Sequence, residues 1–303
     1  MNEVWLFPGQ GSQFVGMGQD LYDQYPLVSR RYEEAAQILN IDLAQISFYG
    51  PAELLTRTEN TQPAIFVHSL VLAELLKKRG YTPSAVAGHS LGEFTALVTA
   101  GALNFEDALK IIGVRSREMA NAGDKQAGAM AAVIGATAEQ VDIICDQDKI
   151  VVPANLNAPG QVVISGDEEG IKTAMLTAKE IGVRRVIPLK VSGAFHSPLM
   201  RPARDALADI ITKCHFTDAQ IPVYQNVSAE PVITADTLQH NILEQLESPV
   251  RWADTILNMS RDGHNDFLEV GPGTVLQGLV KKSLSGAAFS GIGTAEQLQN
   301  YGY

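Results

Sequence analysis

Ala85-Val86-Ala87-Gly88-His89-Ser90-Leu91-Gly92-Glu93 reads as the end of an apolar strand, a tight turn, and the start of a helix that runs on to Ala100. A glycine stands two positions before Ser90 and another two positions after it. Gly-x-Ser-x-Gly between strand and helix is the nucleophile elbow, in which the glycines permit a turn sharp enough to thrust a serine hydroxyl into a cleft. The helix beginning beyond the serine turns its unpaired N–H groups and positive dipole end toward the same point, so the Leu91 N–H is a natural donor to an oxyanion. The competing reading is a glycine-rich turn whose serine only caps the helix.

Outward from the elbow the chain keeps an α/β rhythm. Residues 4–7 form a short apolar run stopped by Pro8 and Gly9, which predicts a buried strand feeding the loop Gly9-Gln10-Gly11-Ser12-Gln13. A helix is predicted over 106–119, with Asn104 as its N-cap and Asp107 three residues on. Between Met130 and Leu189 the order becomes strand (130–134), helix (139–145), strand (150–154), strand (161–165), helix (170–181) and strand (184–189), the βαββαβ order of a ferredoxin-like unit. Further strands are predicted at 223–227 and 267–270, so the small lobe is an insertion into a larger core, with a cleft between the two. The glycine-containing tail after Ser283 is expected to pack loosely or to extend over the surface.

Composition narrows the classes. The chain has 303 residues, is 46% hydrophobic and carries a formal charge of −11, which suits a globular protein with ample core and argues against nonspecific binding to nucleic acid or anionic membranes. Cys145 and Cys214 stand alone, with neither metal-ligand spacing nor a disulfide framework, so a reducing cytoplasm and no metal are expected. The four-residue apolar run before Pro8 is too short for a signal peptide or an anchor, and no later stretch approaches membrane-spanning length.

A serine nucleophile needs a base. Of six histidines, His89 lies inside the elbow and His196 in the loop Ser192-Gly193-Ala194-Phe195-His196-Ser197-Pro198, which makes His196 the better candidate. His68, His215, His240 and His264 read as surface or packing residues. No acid presents itself in an evident triad motif, so a dyad oriented by a backbone carbonyl stays open. Arg115 shares one stripe of the 106–119 helix with Ala108, Ile111, Ile112 and Met119 and so points inward. A buried guanidinium demands an anion. That anion is either one of the chain's 34 acidic side chains, the simpler reading on the helix alone, or the carboxylate of a substrate. Arg117 lies off the stripe and reads as a solvated charge.

Phe7-Pro8-Gly9-Gln10-Gly11-Ser12-Gln13, Thr61-Gln62-Pro63-Ala64, Gly88-His89-Ser90-Leu91-Gly92-Glu93, Gly128-Ala129-Met130-Ala131-Ala132 and Gly271-Pro272-Gly273 together resemble the malonyl-CoA:acyl-carrier-protein transacylase family, nearly end to end. The loop from Ser192 to Ser197 is especially similar to that of the free-standing, trans-acting acyltransferases of modular polyketide synthases. The resemblance implies an α/β-hydrolase-like core (1–126 and 193–303) carrying a ferredoxin-like subdomain (127–192). It implies Ser90 as nucleophile, His196 as general base and then acid, and the backbone N–H groups of Gln10 and Leu91 as oxyanion hole. It places Arg115 at the family's carboxylate-binding arginine, Gln245 where a backbone carbonyl orients the histidine, and Gln62 and Asn157 among polar residues lining the cleft. Phe195 stands at the position that selects malonyl over methylmalonyl. Ping-pong transfer from malonyl-CoA to the phosphopantetheine thiol of an acyl carrier protein follows, with no cofactor and a monomeric enzyme. The carrier would be met through local basic patches such as Lys77-Lys78-Arg79, Arg184-Arg185 with Lys190, or Lys281-Lys282. Polyketide synthesis is the expected pathway and fatty-acid synthesis the alternative. An acyl hydrolase of the same fold and a catalytically silent docking protein are the rivals; Arg115 speaks against the first and the intact Ser90, His196 and Arg115 set against the second.

Overall fold

The computed structural model describes residues 3–125, 127–191 and 193–302. Its larger sheet contains β1 (Glu3–Phe7), β2 (Ala85–Gly88), β7 (Val223–Tyr224), β8 (Pro231–Val232), β9 (Asp266–Val270) and β10 (Ala288–Ile292), in the order β10-β9-β1-β2-β7-β8. All pairings are parallel except β7 with β8. Both β1 and β2 are buried along their whole length, as central parallel strands covered on two faces must be. The Thr58–Lys78 and Phe105–Lys125 helices pack against each other beside this sheet, and the Gly92–Thr99 helix leaves the end of β2.

The smaller sheet contains β3 (Gly128–Ile134), β4 (Val151–Ala158), β5 (Gln161–Asp167) and β6 (Arg185–Pro188), all antiparallel, in the order β4-β5-β3-β6. The Ala138–Cys145 and Glu168–Glu180 helices close one face around Ala131, Val133, Ile164 and Ile171. The other face meets the large core, to which Met130, Ala154 and Val163 belong. The chain is therefore an α/β-hydrolase-like core with an inserted ferredoxin-like lobe, as the element order predicts. The segment boundaries expected at 126/127 and 192/193 involve Gln126 and Ser192, which lie outside the described residues, as do Met1, Asn2 and Tyr303.

The elbow explains its own sequence. A Cβ on Gly88 would stand 1.9 Å from the carbonyl carbon of Gly92, and a Cβ on Gly92 would stand 2.0 Å from the Phe7 carbonyl oxygen. Neither site admits a side chain, because the turn folds β2 back upon the helix start and both press against the end of β1. Ser90 sits at the apex with φ +50°, a left-handed conformation that a non-glycine residue holds only when its surroundings enforce it.

Two expectations are refined. The tail after Ser283 runs along the surface but is not loose: β10 pairs with β9 as an edge of the large sheet with Ala288, Phe289 and Ser290 exposed, Ile292 and Leu298 are buried, and the Tyr301 hydroxyl donates to Glu3 at 2.6 Å. The strand predicted at 223–227 stops at Tyr224, because Gln225 and Asn226 turn fully buried amide side chains toward the elbow instead of continuing a ladder.

Replacing Gly92 by alanine is expected to lower unfolding free energy by at least ~3 kcal/mol, since the added methyl meets backbone rather than a movable side chain. Denaturant titration of the variant beside the parent protein checks this; an unchanged midpoint would contradict the close approach.

Candidate active site

Ser90, at the tip of the elbow, hydrogen-bonds through Oγ to His196 Nε2 at 2.8 Å. His196 Nδ1 lies 2.8 Å from the Gln245 carbonyl oxygen. A carbonyl can only accept, so Nδ1 carries the proton and Nε2 is left to accept from the serine. No carboxylate takes part, and the dyad held by a backbone carbonyl is the arrangement present. Burial holds His196 far below the ordinary histidine range, to about 3, with the nearby Arg115 charge acting in the same direction. The imidazole is neutral and able to receive a proton.

Arg115 is 1% exposed. Its Nη1 donates to Gln62 Oε1 at 2.7 Å, and its Nη2 donates to Gln245 Oε1 at 2.9 Å and to Ser90 Oγ at 3.0 Å. Among the described residues no carboxylate forms an ion pair with it, and its Nε has no hydrogen-bond partner. The internal salt bridge that was the simpler reading of this residue is therefore absent. Burial lowers its pKa to about 10, opposed by the charge of Glu93, so it stays cationic at neutral pH. Arg117 is exposed, as its place off the stripe predicts.

Gln10, Gln62, Leu91, Arg115, Phe195 and His196 line one cavity of about 110 Å³ with Ser90, and His89, Met119, Met130, Asn155, Leu189 and Val191 complete its wall. Gln10 and Leu91, the residues expected to supply oxyanion N–H groups, thus share the cavity with the serine. Asn157 is the exception. It does not line this cavity; its Oδ1 bonds Nε2 of His89, which does, at 2.8 Å, while Asn155 faces the cleft. The ladder of β4 with β5 shifts register between Leu156 and Ala158, which breaks the simple alternation by which Asn157 would have shared Asn155's outlook. His89 is accordingly a support of the turn. His68 and His264 also serve packing, bonding the Gly293 carbonyl and Ser84.

Sequence reasoning missed three supporting groups. Asn226 Oδ1 accepts the Ser90 N–H at 2.7 Å, while its Nδ2 donates to the Gly88 carbonyl at 2.7 Å. Glu93, fully buried, accepts from the Asn226 N–H and from Gln225 Nε2, and burial pushes its carboxyl up to about 7. The Gln245 side chain, beyond its carbonyl, donates to the Ser90 carbonyl at 3.1 Å. An acidic residue one turn into an otherwise apolar helix start was the one available signal, at Glu93. Among the described residues no cluster of three or more His, Cys, Asp or Glu could hold a metal, and no helix is long and apolar enough to cross a membrane.

A hydroxyl aimed at a neutral, carbonyl-anchored imidazole, at the start of a helix and beside a buried cation, defines a serine-type site for acyl chemistry on an anionic substrate. Comparison with known proteins narrows the class. The chain belongs to the acyl transferase family, whose "Acyl transferase domain" profile matches residues 4–298. It is 46% identical over 283 residues to the malonyl CoA-acyl carrier protein transacylase of Bacillus subtilis, covering 92% of this chain and 89% of that one. It is 40% identical to the enzyme of that name from Synechocystis, covering 99% and 100%. Among solved structures it superposes with TM-score 0.95 on a malonyl-transacylase in complex with a type II polyketide synthase acyl-carrier protein, at 37% identity and 99% and 98% coverage. An acyl carrier protein S-malonyltransferase from Vibrio cholerae matches with TM-score 0.95 at 38% identity, covering 99% of both chains.

The depressed histidine sets a pH dependence with a definite sign. In the unfolded chain His196 takes a proton near its ordinary 6.5, whereas in the folded protein it resists one down to about 3, so acidification below 6.5 favours unfolding through this group and does not remove the base. Acyl-enzyme formation at limiting acyl-CoA, followed while circular dichroism reports intact protein, should therefore show no inflection near 6.5. A half-loss of rate there would contradict the assignment.

Proposed function

We propose that this chain is a malonyl-CoA:acyl-carrier-protein S-malonyltransferase that works through a malonyl-serine intermediate. The observation that carries the reading is Arg115: a buried guanidinium without a carboxylate partner, 3.0 Å from the Ser90 hydroxyl. A cation held there by two amides and a hydroxyl keeps a desolvation cost that a bound anion would offset. The fork geometry suits the terminal carboxylate of a malonyl group in two-point contact, with the thioester carbonyl then near Ser90.

In the proposed cycle His196 Nε2 takes the Ser90 proton as Oγ attacks the thioester carbon. The backbone N–H groups of Gln10 and Leu91 hold the tetrahedral oxyanion. The imidazolium, steadied by the Gln245 carbonyl, returns its proton to the departing thiolate of coenzyme A. The phosphopantetheine thiol of a carrier protein next gives its proton to His196 and attacks the malonyl-serine ester, and collapse regenerates the Ser90 hydroxyl. Arg115 and Gln62 hold the carboxylate through both halves. Phe195, in the cavity wall, crowds a methyl branch at the acyl α-carbon, a discrimination of ~1–3 kcal/mol. Neither half-reaction calls for a metal or a cofactor, and chelators should leave the rate unchanged.

The proposal extends to a monomer working in a reducing cytoplasm, with 1–126 and 193–303 as core and 127–192 as lobe. A carrier protein is the partner, as the complexed relative supports. Fatty-acid and polyketide carriers are equally supported as recipients: one relative acts with a polyketide synthase carrier, others bear the general transacylase name.

Intact mass spectrometry after mixing with malonyl-, methylmalonyl- or acetyl-CoA tests this. A malonyl adduct should form on the parent protein, be absent from Ser90→Ala, and discharge faster to a holo carrier protein than to water. Arg115→Ala should slow malonyl loading by at least ~100-fold, about 2.7 kcal/mol of transition-state binding. Free malonate released without adduct, or acetyl loading as fast as malonyl, would transfer the protein to the hydrolase reading.

A further inference from the structure

Gln245 touches every part of the site: its carbonyl oxygen receives His196 Nδ1–H, its Oε1 receives Arg115 Nη2, and its Nε2 donates to the Ser90 carbonyl. Yet it belongs to no strand of the scaffold. It caps the Ala235–Glu244 helix and begins a turn in which the Glu247 N–H bonds the Glu244 carbonyl at 3.2 Å. What fixes this turn relative to His196 therefore matters to the chemistry more than its position in the chain suggests.

A charged group outside the cavity joins this turn to the element that follows His196. Directly after the His196 loop, a 3₁₀ turn (Pro198–Met200) leads into the Arg201–Ile211 helix. Arg204 on that helix bonds Glu244 through Nη2 and lies 3.3 Å from Glu247 through Nε, so one guanidinium spans the residues on both sides of Gln245. Arg201 Nε adds a second contact to Glu247 at 2.6 Å. Within this network the Glu247 side chain is the most sheltered, at 11% exposed, and Arg204 is 25% exposed, while Glu244 and Arg201 are 32% and 65% exposed. The His196 loop itself starts from a strained backbone, φ +57°, so its geometry depends on what holds both ends.

We propose that Arg204 is a positioning residue: by clamping Glu244 and Glu247 to the helix that follows His196, it keeps the Gln245 carbonyl aligned on the imidazole and the Gln245 amide on Arg115. It touches no reacting atom. Without the clamp the turn can drift while the fold stands, the Nδ1–H loses its fixed acceptor, and the base is less often aimed at Ser90. Small misalignments of a base are expensive.

The test rests on the acyl-transfer reading for its kinetic arm and is independent of it in its spectroscopic arm. Arg204→Met keeps the aliphatic stem and removes the charge; Arg204→Lys restores a cation. Rapid-quench acylation by malonyl-CoA should show a loss of about tenfold in the maximal rate for Arg204→Met, and partial recovery in Arg204→Lys, whose ammonium can hold one of the two carboxylates. In protein labelled with ¹⁵N-histidine, the His196 Nδ1–H resonance should broaden through faster water exchange in Arg204→Met and stay sharp in Arg204→Lys. An unchanged acylation rate and a sharp resonance in folded Arg204→Met would overturn the proposal, as would equal losses in both variants, which point to packing alone. If the parent protein takes up no malonyl, the acyl-transfer reading falls, and the resonance still decides the role of Arg204.

Discussion

A cation buried beside a hydroxyl, with only neutral groups around it, is the constraint on which the rest of this structure turns. Arg115 is held by two glutamine amides and by Ser90 Oγ, and the nearest countercharge, Glu93, sits behind the elbow and acts at a distance. A guanidinium taken from water without an ion-paired carboxylate is a standing cost to folding. Proteins retain such costs where binding repays them, and the fork here opens toward the same cavity as the serine. Under the proposed function that repayment takes a chemical form, an acyl group with a free carboxylate.

The scaffold serves to make that cost sustainable. Gly88 and Gly92 let three backbone segments meet at the elbow without side chains between them. Asn226 then satisfies both the Ser90 N–H and the Gly88 carbonyl, so the strained serine is held by hydrogen bonds as well as by sterics. Asn226 is in turn held by Glu93, and Gln245 joins the elbow to both His196 and Arg115. Burial that keeps the histidine neutral is the same burial that makes the arginine seek an anion. One low-dielectric pocket thus prepares a base and a recognition charge together.

The parts legible in the sequence were those with local causes. The elbow was readable because its glycines are demanded by contacts within a few residues and one neighbouring strand. The inward aim of Arg115 followed from helical periodicity, and the βαββαβ order of the lobe from the alternation of apolar runs. His196 could be preferred over its rivals but not assigned from residues alone, since its partners Ser90 and Gln245 are 106 and 49 positions away. Asn226 and the Gln245 amide gave no signal: an amide at the end of a strand or helix looks the same whether it caps, solvates or clamps. Asn157 was expected in the cleft from resemblance alone, and no local pattern in the sequence shows the register shift in β4 that accompanies its contact with His89. The pairing of the tail is hard to read because its buried residues, Ile292 and Leu298, are sparse among glycines and polar residues, and Ile292 is placed only by its pairing with Val270 of β9.

The most direct measurement of the central claim is a crystal structure of the malonyl adduct, trapped by exposing crystals to malonyl-CoA and freezing before discharge. The account predicts the free carboxylate in two-point contact with Arg115, at charge-assisted distances of about 2.7–2.9 Å, with the Nη2 contact to the serine oxygen released. A malonyl group attached to Ser90 but turned to solvent, with Arg115 still bonded only to Gln62, Gln245 and the serine oxygen, would contradict it.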